Sequence, residues 1–170
     1  MDYKKYVRDV PDYPKPGIIF KDITPMLKDQ TVFSKVVLSM AEKFRGAGIH
    51  KLCGIESRGF IFGAPLALEL NAGFIPARKE GKLPAARLSQ EYMLEYGTSK
   101  IEIHTDAIER GEKILIVDDV LATGGTAEAV CNLIERMGGQ IVGLAFFIEL
   151  NFLNGRKKFP NQQITSLIQY

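Results

Sequence analysis

The chain has 170 residues, of which 46% are hydrophobic and 25% are charged, a composition typical of a soluble protein with one hydrophobic core. Its formal net charge of +2 argues against a general nucleic-acid surface, so we expect no nucleic-acid partner. The apolar runs are too short to cross a bilayer and residues 1–10 contain no apolar signal core, so we expect no membrane partner and a cytoplasmic location.

The N-terminal segment combines an amphipathic start with a proline-rich entry. We expect residues 2–10 to be helical, after which three prolines between Pro11 and Gly17 break regular structure. The short apolar piece that follows, residues 18–20, is predicted to be extended. On composition alone, its apolar side chains are core packing.

Apolar periodicity then predicts two helices, each followed by a strand. One helix covers residues 31–45 and leads to a strand over residues 51–55; the second reaches about Leu70, with Pro65 inside it, and leads to a strand over residues 73–79. Between the first strand and the second helix lies a short polar turn whose backbone N–H groups could face an anion. Its Arg58 guanidinium has the planar fork that suits a diphosphate.

Residues 80–98 are rich in charged and small residues, which predicts a mobile loop or the start of a hairpin. On the residues alone we interpret Glu80, Arg87 and Gln90 as solvated surface groups. A strand over residues 101–104 follows. Cys53 and Cys131 are expected to be buried thiols, because each lies in an apolar pattern and their spacing matches no metal motif. His50 and His104 have no evident catalytic partner and are expected to be structural or surface residues.

The most informative stretch is residues 113–126, KILIVDDVLATGGT. Residues 114–117 form an apolar, mostly β-branched run typical of a central parallel strand, and two carboxylates, Asp118 and Asp119, follow it. Residues 122–126 are small and polar, and a helix starts there. A strand over residues 140–150, a solvated basic loop over residues 155–159 and a final edge strand over residues 164–168 complete the chain.

Strand, small polar loop and helix together are typical of a phosphate site. Gly124 and Gly125 let the backbone approach an anion, while the helix N-terminus and the hydroxyls of Thr123 and Thr126 favour negative charge. Carboxylates beside a phosphate need another partner, such as ribose hydroxyls or hydrated Mg²⁺. The stretch lacks both the Gly-Lys-Ser/Thr of a Walker A loop and the Gly-x-Gly-x-x-Gly of a dinucleotide fold. The pattern therefore indicates a sugar-phosphate ligand.

The segment VDDVLATGGT resembles the 5-phosphoribosyl-1-pyrophosphate (PRPP) signature of type I phosphoribosyltransferases. The segment PDYPKPGIIFKDITPML also resembles the N-terminal hood of the adenine phosphoribosyltransferases, and the resemblance extends over residues 11–170. It implies one α/β domain over residues 1–170 with the type I fold: a mainly parallel central sheet flanked by helices. It also implies a small hood over about residues 1–30 and a mobile lid loop or hairpin over about residues 80–98.

The resemblance also assigns roles to individual residues. Asp118 and Asp119 would hold the ribose of PRPP, and the 5-phosphate would be bound by Ala122, Thr123, Gly124, Gly125 and Thr126. The pyrophosphate ligands would be Glu56, Ser57, Arg58, Arg78, Lys79 and Lys82, and relatives suggest a cis peptide bond, which we expect between Ser57 and Arg58. Adenine would lie between Phe20 and Leu150, with backbone groups at Ile19 and Lys21 facing its edge. The catalytic residues would be Glu95, Tyr96 and Arg58.

The implied reaction transfers the 5-phosphoribosyl group of PRPP to adenine, giving AMP and pyrophosphate, as in purine salvage. Mg²⁺ would be the cofactor, held mainly by PRPP and water and by no direct protein ligand, and a homodimer is expected because closed symmetric dimers are common. Two alternatives remain: a phosphoribosyltransferase for another purine, and a catalytically idle PRPP-sensing regulator. An orotate enzyme is disfavoured because the base-facing motifs match the adenine group.

Overall fold

The computed structural model describes residues 1–93 and 97–170, which contain nine β-strands and four α-helices. The strands are β1 (Arg8–Pro11), β2 (Ile19–Asp22), β3 (Lys51–Ile55), β4 (Gly73–Lys79), β5 (Arg87–Met93), β6 (Thr98–His104), β7 (Lys113–Leu121), β8 (Gln140–Glu149) and β9 (Ile164–Gln169). The helices are α1 (Thr24–Leu27), α2 (Gln30–Glu42), α3 (Arg58–Glu69) and α4 (Gly125–Arg136). Single 3₁₀ turns cover Tyr3–Tyr6, Asn151–Leu153 and Gly155–Lys158.

The main sheet has seven strands in the order β5-β6-β4-β3-β7-β8-β9. The five strands from β4 to β9 along this order are parallel, whereas β6 and β5 add an antiparallel hairpin at one edge. This confirms the predicted α/β fold with a mainly parallel sheet. It also confirms that the last strand lies at an edge.

Helices cover both faces of the sheet because the buried side chains of its central strand alternate in direction. Leu115 and Val117 of β7 belong to one hydrophobic cluster, shared with α2 and α3. Ile114 and Ile116 belong to a second cluster, shared with α4. The two clusters together enclose β7 in apolar side chains, as its β-branched run predicts.

The connections that leave β3 and β7, which are neighbours in the sheet, run in opposite directions across it. From β3 the chain crosses through α3 to β4 on one side, and from β7 it crosses through α4 to β8 on the other. In open α/β sheets, ligands bind outside the carboxyl ends of the strands at such a switch point. The predicted polar turns after β3 and β7 therefore meet at one place.

The N-terminal residues form a small separate sheet instead of the predicted helix over residues 2–10. Only Tyr3–Tyr6 is helical, as a 3₁₀ turn, and β1 then pairs antiparallel with β2, with Val10 opposite Phe20. The backbone N–H and C=O groups of β1 find their hydrogen-bond partners in β2. The amphipathic spacing of residues 2–10 alone could not reveal this pairing. From here on, the hood means this two-stranded unit, residues 8–22, which is a narrower segment than the predicted residues 1–30.

The strands β5 and β6 form an antiparallel hairpin at the edge of the sheet, in agreement with the hairpin alternative for residues 80–98. Arg87 is exposed, as predicted, and it also forms an ion pair of 3.1 Å with the buried Glu102 of β6. That carboxylate also accepts hydrogen bonds from Ser89 and from the Gly81 amide, so the hairpin has a polar buried centre. No helix among the described residues is both long and apolar enough to span a membrane.

Candidate active site

A cleft of about 430 Å³ lies between the hood and the carboxyl ends of β3 and β7. It brings together residues from five separate parts of the chain. The lining residues are Ile18, Ile19, Phe20, Lys21, Glu56, Ser57, Arg58, Lys79, Asp118, Asp119, Val120, Ala122 and Leu150. Most residues predicted to bind ribose, base and pyrophosphate therefore meet here. Ile18 and Val120 line the cleft although their apolar side chains carried no functional signal in the sequence.

The acidic pair lies inside the end of β7 and not in the loop after it, because this strand extends to Leu121. Asp118 Oδ1 accepts a hydrogen bond of 2.8 Å from the Asp119 amide. Asp119 is 4% exposed, and its Oδ2 lies 2.9 Å from Arg58 Nε. The N–H is not aligned with this oxygen, so Oδ2 accepts no hydrogen bond from the described residues. A buried carboxylate oxygen in this state favours a ligand that donates a hydrogen bond.

Both carboxylates of the pair ionise less readily than ordinary aspartates. Burial raises the pKa of Asp118 well above its usual range, and the negative charge of Asp119 raises it further. Burial also raises the pKa of Asp119, with the Arg58 guanidinium opposing that effect. Hydroxyl donors or a cation from a ligand would stabilise the ionised pair.

The start of α3 reaches the acidic pair because Gly59 has no side chain. A methyl carbon on Gly59 would lie 2.6 Å from the Val117 carbonyl oxygen, so the helix packs directly on the backbone of β7. This contact brings Arg58, the first residue of α3, next to Asp119. The Arg58 guanidinium carbon also lies 5.0 Å from the centre of the Phe20 ring, which links the pair to the hood.

The turn after β3 holds a second set of opposite charges. Glu56 Oε2 accepts a hydrogen bond of 3.0 Å from the Lys79 amide and one of 3.3 Å from Arg78 Nε. Burial raises the pKa of Glu56, but these two donors outweigh it and the net pKa is lowered. Arg78 also donates to the Lys82 carbonyl at 3.1 Å. Among the described residues, neither Arg78 nor Lys82 lines the cleft itself.

The predicted cis peptide bond is present, but one residue earlier in the chain. It joins Glu56 to Ser57, so the assignment to Ser57 and Arg58 was wrong. Ser57 already has helical backbone angles as the residue that precedes α3, and the chain continues from it directly into the helix.

The hood supplies an aromatic wall to the cleft. The Phe20 ring is held edge-to-face by Tyr13, with 5.2 Å between ring centres, and Leu150 lines the cleft at the end of β8. The Lys21 ammonium is turned toward other partners: it lies 2.7 Å from Asp9 Oδ1 and 3.9 Å from the centre of the Tyr170 ring. Ile19 and Lys21 thus contribute to the wall next to Phe20, while the lysine charge is held by Asp9 of the hood and by the C-terminal Tyr170.

A smaller cavity of about 80 Å³ adjoins the cleft and shares Asp118, Val120 and Ala122 with it. The five predicted phosphate-binding residues line it: Ala122, Thr123, Gly124, Gly125 and Thr126. Gly124 has φ +81°, a conformation that favours glycine, and it precedes the first residue of α4. Among the described residues, no lysine or arginine lines this cavity, so its anion selectivity depends on backbone N–H groups and hydroxyls.

In the basic loop predicted over residues 155–159, Arg156, Lys157 and Lys158 are exposed as expected, but the two residues that flank them, Gly155 and Phe159, are buried. Arg156 makes a two-point ion pair with the buried Glu149, with distances of 2.8 and 2.5 Å, and Phe159 is buried. The Glu149 carboxylate, at the end of β8, faces Arg156 and Ser166 and not the cleft. The sequence contains an indication of this ion pair: Glu149 ends an apolar strand, and a carboxylate buried at such a position needs a cation nearby.

Two predicted catalytic residues, Glu95 and Tyr96, lie outside the residues that the structure describes. Cys53 and Cys131 are buried free thiols, as expected. His50 accepts a hydrogen bond from the Lys113 amide, and His104 accepts one from the Ala85 amide, so both have structural partners. Within residues 1–93 and 97–170, no group of three or more potential metal ligands comes together.

Comparison with known proteins identifies the fold and its relatives. The family model described as "Phosphoribosyl transferase domain" matches residues 26–168. An adenine phosphoribosyltransferase of Halothermothrix orenii is 56% identical over 99% of this chain and 99% of its own length. The crystal structure of adenine phosphoribosyltransferase from Thermoanaerobacter pseudethanolicus has a TM-score of 0.96 at 50% identity, covering 99% of this chain and 98% of that one.

A further solved relative includes ligands. The enzyme of Saccharomyces cerevisiae, complexed with an imino-altritol bisphosphate and adenine, has a TM-score of 0.92 at 39% identity. The match covers 98% of this chain and 96% of the yeast chain.

Proposed function

Because the chain belongs to the adenine phosphoribosyltransferase family, we propose that each group around its cleft takes one defined part in the family's reaction. The protein transfers the 5-phosphoribosyl group of PRPP to adenine and forms AMP and pyrophosphate, a reaction of purine salvage. The observation that carries the assignment of roles is the buried Asp119 oxygen, which lies beside Arg58 but accepts no hydrogen bond from the described residues. It lies where the acidic pair, the hood and the small polar cavity meet.

The small cavity binds the 5-phosphate of PRPP. Its backbone N–H groups lie at the N-terminus of α4, where the helix dipole favours an anion, and Thr123 and Thr126 add hydroxyl donors. The 5-phosphate takes no part in bond breaking. Its binding energy instead holds the ribose C1 atom at the point where the base arrives.

Asp118 and Asp119 bind the ribose hydroxyls. Their accepted hydrogen bonds would fill the vacant acceptor position of Asp119 Oδ2. In the reaction, the bond from C1 to the pyrophosphate oxygen breaks as adenine N9 bonds to C1, and the ribose gains positive charge in between. Two carboxylates beside the ring stabilise that charge more than they stabilise the neutral substrate, which is the requirement for catalysis.

The departing pyrophosphate leaves with its bonding electrons and is stabilised by cations. Arg58 and Lys79 line the cleft, and Arg78 and Lys82 lie next to it, with Glu56 and Ser57 forming the turn that carries Arg58. Mg²⁺, bound mainly by PRPP and water, would neutralise further negative charge on the phosphates. The Asp119 oxygen that accepts no hydrogen bond from the described residues fits a donor from such a hydrated ion as well as one from the ribose.

Adenine binds between Phe20 and Leu150. Aromatic and aliphatic faces suit a purine ring, and the backbone groups of Ile19 and Lys21 face its polar edge. A site built to pair with the amino group of adenine leaves a polar group unpaired against hypoxanthine, which gives strong discrimination.

The proton on adenine N9 must leave as the new bond forms. We propose Glu95 as its acceptor, with Tyr96 beside it in the lid, because a lid carboxylate would approach the base only on closure. Replacing Glu95 with glutamine should lower kcat with little change in the PRPP dissociation constant. Near-normal turnover would exclude Glu95 as the proton acceptor.

We also propose a homodimer, a single domain over residues 1–170 and a cytoplasmic location. An apolar groove between α2 and α3 supports the dimer: Leu38 is 44% exposed, Leu68 is 84% exposed, and Pro65 lines the same groove. A second copy covering this groove would bury those side chains. Sedimentation of the wild type and of Leu68→Glu tests the dimer, which is excluded if both sediment as monomers.

A panel of bases tests the function itself. Purified protein, Mg²⁺ and PRPP are incubated separately with adenine, hypoxanthine, guanine or orotate, and nucleotides are separated by chromatography. We expect AMP from adenine alone. Product from another base would overturn the hood assignment, and PRPP binding without any product would favour the regulator.

A further inference from the structure

The 5-phosphate loop (residues 122–126) packs against a second backbone segment, which we call the support turn (residues 154–159). A methyl carbon on Gly155 would overlap the Ala122 carbonyl oxygen and lie 3.1 Å from the Gly124 amide nitrogen. In the other direction, a methyl carbon on Gly124 would lie 3.0 Å from the Gly155 carbonyl oxygen and 3.1 Å from Phe159 Cε2. Two backbones therefore meet with no room for a side chain.

A buried carboxylate holds the support turn in place. Arg156 donates to both oxygens of Glu149, at 2.8 and 2.5 Å, and a third N–H reaches the Ile164 carbonyl oxygen at 3.3 Å. Ser166 of β9 donates to the same carboxylate at 2.6 Å. Because the Arg156 fork is planar and is fixed at three points, the position of neighbouring Gly155 is set relative to β8 and β9.

The support turn is also tied to the helix that follows the 5-phosphate loop. Lys158 Nζ lies 2.6 Å from Glu128 Oε2, in the first turn of α4. Phe159 is buried beside α4 in the second hydrophobic cluster. The loop therefore has the support turn on its outer side, in contact with Gly124 and with the start of α4.

We propose that the support turn sets the position of the 5-phosphate loop, and that Arg156 is a positioning residue for PRPP that acts through Gly155. The inference rests on the proposed binding of the 5-phosphate by residues 122–126. Arg156 does not line the 5-phosphate cavity; its charge faces Glu149. Its contribution to PRPP binding is therefore geometric and specific to the phosphate end of the substrate.

The glutamate that Arg156 shares with Ser166 provides a matched pair of variants. Arg156→Lys keeps the charge but loses the two-point fork on the support-turn side, whereas Ser166→Ala removes a partner of the same carboxylate on the β9 side. We expect Arg156→Lys to raise KM for PRPP roughly tenfold with KM for adenine unchanged, because misplacement of a binding group is costly. Ser166→Ala should lower the melting temperature and leave both KM values within about twofold of wild type.

A second variant tests the contact itself without disturbing the buried charge. Gly155→Ala should raise KM for PRPP and weaken ribose 5-phosphate binding in a calorimetric titration, because its methyl group displaces Ala122. Gly73→Ala is its control, since the nearest atom there is a flexible Lys51 methylene at 3.2 Å. Thr126→Val, in the 5-phosphate loop, serves as the reference for loss of a direct phosphate contact.

The outcomes separate the two proposals. If Arg156→Lys and Ser166→Ala change KM for PRPP equally, or Gly155→Ala leaves ribose 5-phosphate binding intact, the support turn has only a stabilising role. If Thr126→Val also leaves KM for PRPP unchanged, the 5-phosphate assignment fails and the positioning role fails with it. A PRPP-specific effect of both Arg156→Lys and Gly155→Ala supports the proposal.

Discussion

The two ends of the proposed PRPP site are built in opposite ways. The 5-phosphate loop has no lysine or arginine among its described lining residues and presents backbone N–H groups and hydroxyls from a glycine-rich turn. The pyrophosphate side, formed by Glu56, Arg58, Arg78 and Lys79, contains cations that carboxylates already hold. Arg58 lies 2.9 Å from Asp119, and Arg78 lies 3.3 Å from Glu56.

This difference separates a preformed site from one that must exchange partners. A phosphate that enters the 5-phosphate loop finds no lysine or arginine among the described lining residues that a carboxylate already holds, so the free energy of its binding is reduced mainly by the loss of its own hydration. A pyrophosphate must compete with Asp119 for Arg58 and with Glu56 for Arg78, so part of its attraction offsets the loss of existing ion pairs. Under the proposed assignment, the 5-phosphate end is the anchor and the pyrophosphate end is the part that rearranges.

Among the variants that test this difference between the two ends, Asp119→Asn should have the largest effect on the use of PRPP. It removes a carboxylate from the ribose and should lower kcat/KM for PRPP about 100-fold. The melting temperature should rise, because the buried carboxylate ionises at a cost that the amide avoids. Steady-state kinetics and calorimetry measure both effects. Asp106→Asn, at an exposed aspartate, is the control; wild-type kinetics in Asp119→Asn would contradict the ribose assignment.

Arg58→Ala should have the next largest effect, and it should weaken binding of the pyrophosphate group alone. We expect a roughly 10- to 30-fold rise in KM for PRPP, the scale for hydrogen bonds to charged groups. Ribose 5-phosphate, which lacks the pyrophosphate, should bind as to wild type. The exposed Arg110→Ala is the control. Equal weakening of both ligands would mean that Arg58 acts on the whole cleft and not on the pyrophosphate.

The pH dependence should show opposite signs for binding and for stability. Burial raises the pKa of Asp118, so its protonated form stabilises the fold, and that contribution is lost as pH rises through the raised pKa. PRPP binding needs the ionised acceptor and should strengthen over the same rise in pH. We expect a several-fold change in the PRPP dissociation constant.

Asp118→Asn is the internal control for this titration, because the ionisation of PRPP itself is common to both proteins. In that variant the pH slope of binding should be smaller and the fold less sensitive to alkali. Identical slopes in the two proteins would assign the pH dependence to the substrate.

Thr126→Val should give the smallest effect, because the 5-phosphate loop distributes its binding over several neutral donors. Loss of one hydroxyl should raise KM for PRPP about fivefold and leave KM for adenine unchanged. The exposed Thr105→Val is the control. A loss larger than that of Arg58→Ala would reverse the proposed contrast between a distributed anchor and a charged end.

Local patterning was enough to predict the elements that carry the site. The strands Lys51–Ile55 and Gly73–Lys79 have the predicted bounds, and the sequence of strand, polar loop and helix around Gly124 is as expected. These elements follow from apolar periodicity and from glycine, which act over a few residues. The prediction of a helix over residues 2–10 was wrong because β1 forms by pairing with β2, and residue spacing within a short segment carries no information about such a pairing.

Only the folded chain decided which charges are paired. Arg58 with Asp119, Arg78 with Glu56, and Arg87 with Glu102 are separated along the chain and meet through sheet order and helix packing. Arg156 and Glu149 lie close in sequence, yet their pairing depends on the burial of that carboxylate beside β9. Motif residues were visible in the sequence because their chemistry is local. Their partners were not, because burial and distance between remote residues exist only after the sheet has assembled.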